Sequence, residues 1–326
     1  MGIDVLKSLA ILFGCIFTVL VFFTVVLYFL KRSNCVHEKG VNVAFLGDRI
    51  RAWWFFAIFL CLAVLCGRLG VLIFFAVVSF QCLREYLSMI KTRIGDHHAL
   101  VWSFYFFLPL NYVLLGFFWG IWFVIFIPVG AFVFLPITAV LRKDTKQFLN
   151  RTAQIHWGLM ICVYFLSYVP ALLLNASYSA PTDDYYIDNS HVVLIVFFLL
   201  VVQAANVFEY IWNTWLPGRR IFSRQLSESK SIEGLVAGFI GACVLAFLFY
   251  GFTPFSLGEM LFVVPVTVLA GLIGRVILDA VKQDKGMENW SYQQGSASRS
   301  GMLDLVDSFC FAAPVFFYMH YFWQSI

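Results

Sequence analysis

Ten long apolar stretches, separated by short polar loops, leave this chain few ways to fold. They lie near residues 5–30, 52–67, 69–90, 99–117, 118–141, 154–175, 191–213, 233–251, 258–280 and 308–324. A helix needs about 20 apolar residues to cross roughly 30 Å of hydrocarbon. The second and third stretches are short and closely joined, so the count is nine or ten. Barrel strands would show alternating segments of about ten residues, and these are lacking. A helix also satisfies its own backbone hydrogen bonds in lipid. Composition agrees: 62% of residues are hydrophobic and only 12% charged, against about 25% charged in a soluble domain. The sequence predicts an all-α, polytopic integral membrane protein with about ten transmembrane helices. The first stretch, from about Val5 to Leu30, is too long for a signal-peptide core and reads as a retained span.

The loops set the orientation. Segments 31–51, 84–98, 142–153, 214–232 and 281–307 hold nearly all of the 22 Lys and Arg, whereas 176–190 holds three aspartates and no base. Alternation across ten spans puts the basic loops on one side, with only Lys7 and Arg68 towards the other. Basic loops stay cytoplasmic, so both termini are expected on the far side. Three regions follow: 1–51, a first span with a basic loop; 52–190, further membrane helices; and 191–326, where the polar chemistry collects. The stretch GDRIRAWWFF (47–56) reads as an interfacial anchor. The eight cysteines lie mostly in apolar runs without a CxxC pair, which suits small packing residues rather than a disulfide or zinc framework.

Two loops carry most of the chemistry. Residues 214–234 and 281–307 offer Arg219, Arg220, Arg224, Lys230, Lys282, Lys285 and Arg299 beside Glu233, Asp279, Asp284, Asp304 and Asp307. Bases beside acids at span ends suit a phosphate-bearing substrate with a divalent cation. Glycines and serines at 295, 296, 298, 300 and 301 can bring backbone N–H groups close to an anion. A helix starting near Gly301 would place Asp304, Asp307 and Ser308 on one face. The same acids would also favour a helix N-terminus by about 0.3–1 kcal/mol, and spacing alone leaves both readings open.

These loops resemble the integral-membrane phosphatidate cytidylyltransferases, or CDP-diacylglycerol synthases, of bacteria. That family's S-P-x-K-T-x-E-G motif is matched by Ser227-Glu228-Ser229-Lys230-Ser231-Ile232-Glu233-Gly234. Its C-terminal signature, K-R-D-x-G-x-K-D followed by G-G-x-L-D-R-x-D-S and A-P, is matched by Lys282-Gln283-Asp284-Lys285-Gly286, by Ser300-Gly301-Met302-Leu303-Asp304-Leu305-Val306-Asp307-Ser308 and by Ala313-Pro314. LREYL (83–87) and FIPVGAFVFLP (126–136) are similar in style. The resemblance implies that CTP and phosphatidate give CDP-diacylglycerol and pyrophosphate at the cytoplasmic face of the bacterial inner membrane. It implies a magnesium cofactor, with potassium in some members, and often a homodimer. By motif position Asp304 and Asp307 would be metal ligands and Lys230 and Lys282 phosphate contacts. Ser227, Ser231, Glu233, Gly234, Asp284, Arg299 and Ser308 would shape the substrate site.

The chain departs from that pattern at several positions, including Gln283 for an arginine, Glu228 for a proline and Ser231 for a threonine, and at four more that bear on the metal site. Where the family has G-D-L-x-E-S, this chain has Gly274-Arg275-Val276-Ile277-Leu278-Asp279, so an aspartate is Arg275 and a glutamate is Leu278. An aspartate of the seventh span is Asn206, and the signature arginine is Leu305. A magnesium ion and a guanidinium at about 4 Å repel by roughly 8 kcal/mol at an effective dielectric near 20. One metal position is therefore expected to be vacated, with Asp279, one turn on, as a partner for Arg275. Two readings result: a nucleotidyltransferase with an altered metal site, or a catalytically weakened paralogue that binds lipid or nucleotide. A transporter, the third reading, would need ionisable residues deep in the spans, and the sequence places few there.

Overall fold

A computed structural model describes residues 10–11, 13–14, 16–21, 23–25, 28, 43–90, 96–117, 120–140, 147–173, 189–215, 231–253, 255–285 and 301–325. Every regular element among these residues is a helix. They are α1 (Val43–Leu65), α2 (Gly67–Met89), α3 (His97–Gly116), α4 (Gly120–Thr138), α5 (Phe148–Ala171), α6 (Asn189–Trp215), α7 (Ile232–Leu248), α8 (Leu257–Asp284) and α9 (Met302–Ser325). Seven of them, α2 to α6 with α8 and α9, are long and apolar enough to cross a membrane. Ile16–Val25, Ile50–Leu65 and Ile232–Leu248 are shorter apolar helices, and each falls on one of the remaining predicted stretches. The protein is thus an all-α polytopic membrane protein. The apolar surface agrees: Leu65, Leu69, Phe117 and Ile121 are each more than two-thirds exposed, which lipid tolerates and water does not.

Local chemistry accounts for the helix ends and bends. Ser231 caps α7, its Oγ accepting the Gly234 N–H at 2.9 Å, and Ser256 caps α8 in the same way through Glu259 N–H at 3.2 Å. Spans α3, α4 and α5 each contain a π-helical segment: Ser103–Phe107, Phe126–Ala131 and Met160–Phe165. Pro109 follows the first and Pro128 lies within the second, where a missing N–H disturbs the ordinary ladder.

The helices divide into an interior and a rim. Along the apolar window of α6, 83% of residues are buried, against 22% in α4, so α6 runs through the centre and α4 lies outside. α9 packs on α8, α5, α2, α6 and α1, and its Val306, Phe309, Cys310 and Phe316 are almost fully buried. Cys82 and Cys162 are buried too, as the packing reading of the cysteines expects. Trp53, from the predicted interfacial stretch, lies within α1 and meets the Phe309 ring edge-on at 6.0 Å.

Contacts across helices sort the ends of the bundle. Lys282 with Asp304, Glu85 with Leu303 N–H, and Arg151 with Asp96 lie at the end that carries the basic loops. Arg68 donating to the Gly116 carbonyl, Tyr168 bonded to Tyr318, and His320 bonded to Glu259 lie at the other. This is the alternation that the loop charges predict. Several ionisable groups near the ends of the spans are buried within the protein: Glu209 is fully buried, and Arg275, Glu259 and His320 are nearly so. They escape the lipid because each has a partner on another helix, Arg275 with Glu209 and Glu259 with His320. Hydropathy averaged along one helix does not register such neutralisation.

Candidate functional site

The polar residues of α6, α8 and α9 meet at the basic end because α8 and α9 touch almost backbone to backbone. A Cβ on Gly274 would collide with the ring of Phe311, and one on Gly271 would lie 3.3 Å from the Ser308 carbonyl oxygen. Small residues at such crossings are what let membrane helices approach closely. Arg275 and Lys282 are two turns apart on α8 and therefore share a face. Asp304 and Asp307 are three apart on the first turns of α9, as the sequence predicts.

At the mouth, Lys282 Nζ is ion-paired with Asp304 Oδ1. The Asp304 side chain is 33% exposed and that of Lys282 19%, so this pair is open to exchange with solvent or a ligand. Deeper, the Glu209 side chain is 1% exposed and that of Arg275 11%. Arg275 Nη1 lies 3.0 Å from Glu209 Oε2 and donates to Asn206 Oδ1 at 2.8 Å. Ser308 Oγ donates to the same Asn206 oxygen at 3.0 Å. Two donors on one atom fix the amide orientation of Asn206, with its oxygen turned to Arg275 and Ser308. Asp307, buried, accepts the Ser308 N–H at 2.6 Å.

The departures from the family pattern are therefore coupled in space. Arg275 and Asn206 are in direct contact, and Glu209 supplies the charge that balances the guanidinium. The sequence expectation that Asp279 would hold Arg275 is corrected: its ion-pair partner is Glu209, on α6. The side chain of Arg275 turns towards α6, and a buried cation takes a buried anion. With Glu209 in place a carboxylate at 206 would leave surplus negative charge in the interior, so a neutral amide fits. Neither Glu209 oxygen makes a hydrogen bond, so its contact with Arg275 is one of charge. Leu278 and Leu305 are 1% and 4% exposed. Each is an apolar core position in which a glutamate or arginine would need a partner.

The remaining predicted residues are scattered more widely. Ser231 Oγ donates to Asn213 Oδ1 at 2.6 Å while capping α7, and Gly234 leaves no room for a Cβ beside the Asn213 side chain. Both therefore hold α7 against the end of α6, one turn beyond Glu209. Glu233 lies in the first turn of α7. Asp284 pairs with its neighbour Lys285 at 2.9 Å and is 73% exposed. Ser227, Lys230 and Arg299 lie outside the described residues, as does the glycine- and serine-rich stretch before Gly301.

A magnesium ion suits this corner in one manner only. Among the described residues no three acidic, histidine or cysteine side chains are grouped to hold a metal. Magnesium needs only one or two carboxylates when phosphate oxygens and water complete its shell. Asp304 and Asp307 can supply that share for an ion that arrives with a nucleotide. Two carboxylates that sequence reasoning passed over also belong here, Glu209 and Glu85. Their signal was present, since an acid inside an apolar run needs a reason.

Comparison with known proteins places the chain. The sequence model of the "Cytidylyltransferase family" matches residues 47–323. An uncharacterized protein of Escherichia coli K12, YnbB, is 32% identical over 96% of this chain and 97% of its own length. The phosphatidate cytidylyltransferase of Haemophilus influenzae is 30% identical over 40% of this chain and 46% of its own. That of Chlamydia trachomatis is 23% identical over 48% and 52%. The chain thus spans about half the length of the named cytidylyltransferases that it matches.

Proposed function

We infer the function from a premise that the match over residues 47–323 establishes: this chain belongs to the cytidylyltransferase family. It transfers the cytidylyl group of CTP to phosphatidate, giving CDP-diacylglycerol and pyrophosphate. The reaction takes place at the membrane face that carries the basic loops, the cytoplasmic face by their Lys and Arg excess. One observation carries the reading: Lys282 and Arg275 converge with Asp304 and Asp307 at one end of α6, α8 and α9.

The chemistry is chiefly positioning and charge neutralisation. A phosphatidate oxygen attacks the α-phosphorus of CTP; the new P–O bond forms as the bond to the β-phosphate bridge breaks, and pyrophosphate leaves. Lys282 would take a phosphate oxygen in place of Asp304, and Asp304 with Asp307 would hold a magnesium ion that arrives with the nucleotide. That ion, when bound, spreads the negative charge that develops on the phosphates. Arg275, held by Glu209 and Asn206, is a fixed cation behind the phosphates. By motif position Lys230, outside the described residues, would be a further phosphate contact.

A second reading has one observation in its favour. The Arg275–Glu209 pair is buried and already neutralised where the family resemblance places a metal ligand. In that reading the protein binds the lipid or the nucleotide without turnover. Purified protein in mixed micelles of detergent and phosphatidate, given CTP and magnesium titrated from zero, separates the two. Magnesium-dependent CDP-diacylglycerol is the expected product. No product from folded, lipid-binding protein selects the second reading.

A further inference from the structure

The helix that carries Asp304 and Asp307 follows a glycine, which has no side chain to cap it. The first backbone N–H groups of α9 have no carbonyl partner within the helix, and the residue before it is Gly301. The acceptor comes from elsewhere: Glu85, near the end of α2, takes the Leu303 N–H on Oε2 at 2.9 Å across 218 residues of sequence. The fit is close, because a Cβ on Gly301 would fall inside the Glu85 carboxylate. A side chain at 301 would therefore have to push the Glu85 carboxylate aside. Glu85 also interacts electrostatically with Asp304 and Lys282, so the cap and the mouth of the site form one cluster.

We propose that Glu85 is a positioning residue of the active site. It fixes the N-terminus of α9 and thereby sets Asp304 and Asp307 against Lys282. A carboxylate also suits the positive end of the helix dipole. The hydrogen-bond acceptor does the positioning, so a glutamine can replace the glutamate and an alanine cannot. The kinetic part of this proposal rests on the cytidylyltransferase reading; the cap itself does not.

Three full-length variants test it in phosphatidate micelles with CTP and magnesium. Glu85→Ala is expected to lower kcat by about tenfold to a hundredfold, as misplaced catalytic groups do. It should also raise the magnesium needed for half-maximal rate and leave the KM for phosphatidate unchanged. Glu85→Gln should stay within about threefold of the parent, since its amide oxygen accepts the same bond. Gly301→Ala, which displaces the carboxylate while keeping Glu85, should reproduce the Glu85→Ala pattern and stands in for it if Glu85→Ala does not fold. Parent-like kinetics in Glu85→Ala overturn the proposal, as does a Glu85→Gln variant as impaired as the alanine. If the parent turns over no CTP, the enzymatic reading fails, and hydrogen exchange in the peptide spanning 301–308 decides the cap alone. Exchange at the Leu303 amide should then be about tenfold faster in Glu85→Ala, the size of a lost helix cap; equal exchange sinks it.

Discussion

Two residue pairs carry the functional reading, and they differ in depth. Lys282 and Asp304 sit at the mouth, where a ligand can part them. Asp304→Asn is expected to abolish CDP-diacylglycerol formation while leaving the protein folded, because the side chain is partly exposed and keeps an acceptor for Lys282. Unchanged turnover would refute its assignment. Arg275 and Glu209 are interior, and breaking an interior pair strands a charge. Arg275→Leu should lower stability by about 3–5 kcal/mol, measured as thermal unfolding in detergent. The double variant Arg275→Leu with Glu209→Leu should recover most of that loss; additive effects would show that the pair is not coupled. The i, i+3 spacing of Asp304 and Asp307 is legible from the sequence, since one helix encodes it. The Arg275–Glu209 contact is not, since α6 and α8 meet only in three dimensions.

At the level of elements, the close crossing of α8 on α9 sets the geometry of the site. Gly271 and Gly274 make that crossing possible, and the residues that depend on it lie one to two turns further along. Gly274→Val would drive two methyl groups into Phe311. The expected result is a stability loss of about 1–3 kcal/mol from overpacking, together with loss of turnover as Lys282 moves from Asp304. A variant of parental stability and activity would show that the crossing is loose. At the opposite end the Glu259–His320 bond, 2.6 Å long and flanked by Phe255 and Phe316, ties the same two helices. It lies about 35 Å along α8 from Lys282 at 1.5 Å per residue, so its loss should affect stability before chemistry.

For the whole molecule, the loop charges and the helix contacts agree on which ends lie together, and the membrane decides which end faces the cytoplasm. In a background free of native cysteines, a cysteine at Asp184 should react with a membrane-impermeant maleimide in intact cells. One at Lys285 should react only after permeabilisation. The reverse pattern would place the site outside the cell, away from CTP. The spans could be read from the chain alone because the free energy of crossing lipid is summed locally, residue by residue, over about 20 positions. The basic face could be read for the same reason, from the charge of each loop. Tertiary structure alone decided what neutralises Arg275, why position 206 carries an amide, and how Glu85 in α2 closes the start of α9. Those are contacts between segments 66 to 218 residues apart, and no property of either segment by itself selects its partner. A buried charge or an open helix end states only that a partner is needed, and packing determines which one is within reach.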